Sequence, residues 1–82
     1  MTKGEYRVGI NFNPSSDDMV SKIKRAAADL IDLIEEVGMN SVAPGALVEN
    51  EEVRRLKALA QTEVESAAMW AVKAATKQPR EV

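Results

Sequence analysis

The sequence predicts an all-α fold: an antiparallel helical hairpin preceded by a short N-terminal arm and assembled into a homo-oligomer. Three observations predict it. Two segments carry apolar residues at helical spacing, and a stretch rich in Gly and Pro separates them. The second segment holds more apolar surface than one partner helix covers. The chain also has only 82 residues and neither Cys nor His, so a small core receives no help from a disulfide or an imidazole metal site. Association between copies is the remaining stabiliser.

Residues 1–13 read as the arm, with Val8, Ile10 and Phe12 alternating with Gly9 and Asn11 in the period of an extended segment. A first helix is expected over about 14–37. Asn13 offers a cap, Pro14 suits the first helical position, and Ser15 with Asp18 forms an Asp version of a capping box. Met19, Val20, Ile23, Ala27, Leu30, Ile31, Ile34 and Val37 make one apolar stripe, and Gly38 ends it. Residues 38–49 read as the connecting loop.

A second helix is expected over about 50–76, opening on Asn50 with Glu51 and Glu52 in its first turn. Val53, Leu56, Ala60, Val64, Ala67, Ala71 and Ala74 follow one face, and Pro79 places residues 77–82 in a tail. At 1.5 Å per residue the helices span roughly 35 and 40 Å, matched for a hairpin. From Ala67 to Val72 the sequence AAMWAV is apolar around the whole circumference. Two helices cannot surround one another, so this surplus calls for a second surface: another copy or another protein.

Composition excludes several functions. Without Cys or His there is no thiolate or imidazole nucleophile or base. The carboxylate pairs Glu35-Glu36 and Glu51-Glu52 read as solvated faces, so no catalytic residue, metal site or cofactor is expected. No apolar run approaches a membrane span and the start MTKGEYR lacks a signal-peptide core, which points to the cytosol. A net charge of −2 argues against a polymeric nucleic-acid partner.

The charges of the first helix run against its dipole. Lys22, Lys24 and Arg25 come early, and Asp29, Asp32, Glu35 and Glu36 come late. In an antiparallel hairpin Lys73, Lys77 and Trp70 approach that basic start and the Tyr6-Arg7 arm. The result is a local positive end, where lysines and arginines attract phosphate and aromatic faces stack on bases. Two interpretations fit Lys24, at the margin of the stripe: a snorkelling stem covering apolar surface, or an ammonium facing an intersubunit groove. Tyr6 and Phe12 also fit simple arm anchors, and Trp70 fits interface core.

The stretches YRVGINFNPSSDDMVSKIKRAAADLIDLIEE at 6–36 and VRRLKALAQTEVESAAMWAVKAATK at 53–77 carry a more specific pattern. They hold a Tyr-Arg pair, an Asn-Pro-Ser helix start, an early Ile-Lys pair, and Thr-Glu followed by Met-Trp-x-x-Lys-Ala. In these features the sequence resembles the anti-CBASS and anti-Thoeris cyclic-nucleotide sponges, small bacteriophage proteins that share a helical hairpin domain. The resemblance implies a homo-hexamer that captures cyclic di- or trinucleotides, or cyclic ADP-ribose isomers, without cleaving them. It also implies action in the cytoplasm of the infected bacterium, where capture lowers the signal reaching defence effectors.

By position, Tyr6 would stack on a base, Lys24 would meet a phosphate, and Lys73 would contact phosphates in a separate pocket. Lys73 stands where the family pattern has arginine, and it offers a point charge without the bidentate fork. With the neighbouring cations of the positive end, the expected ligand-binding set is Tyr6, Arg7, Lys22, Lys24, Arg25 and Lys73. The competing expectations are an adaptor that binds another protein through AAMWAV and, last, a hydrolase of such messengers.

Overall fold

A computed structural model describes residues 1–38 and 50–80. Among these residues it contains three helices and no strand: α1 (Lys3–Val8), α2 (Asp18–Glu35) and α3 (Glu51–Ala75). The helical hairpin with a short N-terminal arm is therefore observed. The expected loop lies outside the described residues apart from Gly38, whose φ of 78° is the left-handed conformation of a helix-ending glycine.

The arm corrects the extended expectation, because most of it is helical. Thr2 and Glu5 form a reciprocal capping box: Thr2 Oγ1 accepts from the Glu5 N–H at 3.1 Å, and Glu5 Oε1 accepts from the Thr2 N–H at 2.8 Å. Gly9, at φ 64°, closes the helix in the left-handed region. The alternation of Val8, Ile10 and Phe12 thus straddles a helix end and a turn, and it has no strand period behind it.

The start of α2 also moves, from about 14 to 18. Asp17 is the cap, its Oδ1 accepting from the Met19 N–H at 2.8 Å. Residues 13–16 instead make a turn closed by the Ser16 N–H on the Asn13 carbonyl at 3.1 Å, and Ser16 has φ 54°, which no right-handed helix accommodates. Asn13 braces this turn by donating from Nδ2 to the Asp17 carbonyl and to Ser21 Oγ.

α2 and α3 run antiparallel. Phe12 and Lys24 lie near Ala68 and Val72 at one end, and Ile34 and Val37 lie near Val53 and Leu56 at the other. The buried apolar residues are Val20, Ala27, Ala28, Ile31, Val53 and Ala68, a small aliphatic set. Along α3 the buried face runs through Val53, Lys57, Gln61 and Ala68. Leu56, Ala67 and Ala74, expected on that face, are exposed. The face is rotated so that Gln61 points inward, where its hydrogen bonds include one from Nε2 to the Ile31 carbonyl at 3.1 Å. Leu30 and Leu33 on α2 and Leu56, Leu59, Met69 and Trp70 on α3 remain on the surface of the single chain.

Candidate functional site

α1 crosses α2 antiparallel to it, and that crossing accounts for most of the inverted charge gradient. Gly4 is buried against Ala28, where a Cβ would come within 2.8 Å of the Ala28 carbonyl carbon and of Asp32 Oδ1. The Gly4 N–H donates to Asp32 Oδ1 at 2.7 Å. Lys3 reaches Glu35 at 2.8 Å, and Arg25 reaches Glu5 at 2.9 Å. Late acids and early bases on α2 therefore answer charges and backbone groups on α1, a long-range reason that local helix electrostatics does not contain.

Lys24 serves the same crossing. It is only 8% exposed, and its Nζ donates to the Gly9 carbonyl at 2.9 Å and also to the Phe12 carbonyl. The ammonium thus sits at the C-terminal end of α1, on the carbonyls of its cap residue Gly9 and of Phe12 in the turn that follows, where the helix dipole is negative. It lies 5.4 Å from the centre of the Phe12 ring. The stem is buried as a snorkelling lysine's would be, but the ammonium is held by carbonyls rather than turned to water, and Lys24 also lines a cavity of the single chain.

That cavity, of about 380 Å3, brings Lys24 together with Arg7 from α1 and with Glu65, Ala68 and Met69 from α3. Arg7 donates from Nε to Glu65 Oε1 at 2.7 Å, so its charge is matched within the chain. Lys22 and Arg25 line a second, shallower concavity of about 580 Å3 with Ile10, Ser21 and Asp29. Arg25 is matched twice, by Glu5 and by Asp29, both at 2.9 Å. These pairs push the Arg25 guanidinium above its ordinary pKa, with the Glu5 hydrogen bond the larger cause.

The structure thus divides the six expected residues. Arg7 shares a cavity with Lys24, and Lys22 shares one with Arg25. Tyr6 projects from α1 at 77% exposure and lines neither cavity. Lys73 also lines neither, and its Nζ lies 5.4 Å from the centre of the Trp70 ring, three residues earlier on α3. A single chain therefore presents two walls rather than one closed cup.

Two contributors, Glu65 and Gln61, were not singled out from sequence, and a third, Phe12, was read only as a simple arm anchor. Phe12 supplies both a carbonyl and a ring to Lys24, and Glu65 holds Arg7. Gln61, 2% exposed, joins the helices by accepting from Lys3 Nζ at 3.0 Å and donating to Glu35 Oε2 at 2.7 Å. No local signal marks Glu65 or Gln61, whereas the lone Phe12 beside the helix start carried a partial one. Glu5, half-buried, is drawn from 4.5 to about 2, first by the Thr2 backbone hydrogen bond and then by Arg25.

Among the described residues no cluster of acidic side chains is arranged to hold a metal ion, and no helix is long and apolar enough to cross a membrane. The Acb2/Tad1 hairpin domain model matches residues 4–76, from the glycine of α1 to the end of α3. The chain belongs to the Acb2/Tad1 hairpin family. This is the family of anti-CBASS and anti-Thoeris sponges, known for holding cyclic nucleotides as binding domains rather than enzymes. No curated protein and no solved structure matches the chain significantly. The Acb2/Tad1 match spans all three helices, so α1 is part of the shared domain and not an appendage to it.

Proposed function

We propose that this chain is a bacteriophage anti-defence protein that sequesters cyclic oligonucleotide second messengers without cleaving them. Its ligands are cyclic di- or trinucleotides, or cyclic ADP-ribose isomers, captured in the cytoplasm of the infected host as a homo-oligomer, a hexamer in this proposal. The observation that carries the proposal is the family match across residues 4–76. The site geometry supports it. A lysine ammonium has three donors; carbonyls take two on Lys24, and the third is left for a phosphate at the cavity that Arg7 shares.

Tyr6, exposed beside Arg7, is a base-stacking face that a neighbouring subunit closes over. Lys22 and Arg25 line the flanking wall, and Lys73, with Trp70 beside it, serves a second phosphate position. Sequestration needs affinity and abundance, so the absence of a nucleophile from the reading of the sequence is no obstacle. Isothermal titration against a panel of cyclic di- and trinucleotides and cyclic ADP-ribose isomers tests the proposal. Binding with recovery of intact nucleotide supports it; no heat from any ligand at micromolar concentration rejects it. Lys24→Glu should abolish that binding.

A second reading, an adaptor for another protein, draws on the exposure of Met69 and Trp70. A stoichiometric protein retained in a pull-down, with no nucleotide response, would favour it.

A further inference from the structure

Residues 3–12 are tied to α2 and α3 by a series of polar contacts. Lys3 meets Glu35 and Gln61, the Gly4 N–H meets Asp32, Glu5 meets Arg25, Arg7 meets Glu65 and Thr62, and Lys24 meets the Gly9 and Phe12 carbonyls. Its apolar side chains anchor it only in part: Tyr6 and Phe12 are largely exposed, and Val8 and Ile10 are half-buried at the rims of the two cavities. The one buried residue of α1 is Gly4, which has no side chain to bury. A helix of six residues has no stability of its own in water, and ion pairs this exposed are weak and screened by salt. α2 and α3, by contrast, supply Val20, Ala27, Ala28, Ile31, Val53 and Ala68 to the buried apolar set, and no side chain of α1 belongs to it.

We propose that residues 3–12 form a releasable strap, which opens as one unit while the α2–α3 hairpin stays folded and thereby uncovers the Lys24 ammonium. Docked, the strap places two carbonyls and the Phe12 ring on Lys24. Released, it takes Arg7 out of the cavity and leaves Lys24 open to solvent and Glu65 without its cation. The strap is thus a lid over one lysine, whatever anion that lysine meets. Gly4 is its seat, since any Cβ there collides with the Ala28 carbonyl group, which is backbone and cannot move aside cheaply.

Hydrogen exchange on the full chain, with acetylation of individual lysines read by peptide mass, tests the strap. The Gly9 and Ile10 amides, bonded to Tyr6 and Glu5 carbonyls, should exchange about tenfold or more faster than those of Ala28 and Ile31, and faster still in high salt. Strap amides that exchange at the rate of Ile31, or at a rate indifferent to salt, overturn the proposal. In Gly4→Ala, acetylation of Lys24 should rise about tenfold, towards that of exposed Lys22, while the helicity of α2 and α3 persists. Unchanged protection of Lys24, or loss of those two helices in the variant, overturns it equally.

Discussion

Gln61→Leu separates a structural hydrogen-bond hub from a merely buried position. Gln61 is nearly inaccessible, accepts from Lys3 at 3.0 Å, and donates to Glu35 at 2.7 Å and to the Ile31 carbonyl at 3.1 Å. Three hydrogen bonds at a net of about 1 kcal/mol each amount to about 3 kcal/mol. Leucine fills a similar volume and recovers about 1–2 kcal/mol through its apolar surface. Lys3 and Glu35 are part-exposed and can turn to water and to each other, which keeps the loss at the modest end. The expected net cost is about 1–2 kcal/mol.

A pH signature accompanies that cost. The Glu35 carboxyl is held below its ordinary 4.5, first by the Gln61 hydrogen bond and then by that of Lys3. A carboxyl more acidic in the folded state than in the unfolded one contributes fully above about 4.5, and the contribution disappears as pH falls through the depressed value. Removing Gln61 removes the larger cause, so the variant should lose less stability on acidification than the parent. Urea denaturation at one fixed protomer concentration, at neutral pH and at pH values descending below 4.5, measures both effects. A neutral-pH loss below about 0.5 kcal/mol with an unchanged acid response would refute the hub.

Other outcomes follow from single contacts. Trp70→Ala should dissociate the assembly, read by light scattering on a sizing column, because Trp70 belongs to the apolar surface that the hairpin leaves uncovered. Glu5, depressed to about 2, should hold its pairing with Arg25 well below 4.5, and the chemical shifts of α1 should titrate only as pH approaches about 2. Asn50→Ala removes the acceptor that the Val53 N–H uses at 2.9 Å and should cost about 1 kcal/mol in denaturant.

The two long helices were legible because their cause is local. Apolar spacing over 18 and 25 residues, Asn50 before two glutamates and Gly38 after a stripe act within a few turns of one another. α1 left a legible trace too, in Thr2 three residues before Glu5 and in Gly9 beyond Val8, but six residues compete poorly with an alternation that mimics a strand. For the candidate site, Lys24 and Arg7 were named from sequence. Their shared cavity was not, since Glu65 and Phe12 approach them only across the folded chain.

The amino-acid order alone determined the all-helical class, the hairpin, and the excess of apolar surface over what one partner helix covers. Tertiary structure decided why α2 carries bases early and acids late, and which face of α3 turns inward. Lys3 finds Glu35, Glu5 finds Arg25 and Arg7 finds Glu65 across 20 to 58 residues of chain. Periodicity reports how a residue faces its own helix. Charge pairing between helices depends on where the chain returns, and only the packed molecule contains that.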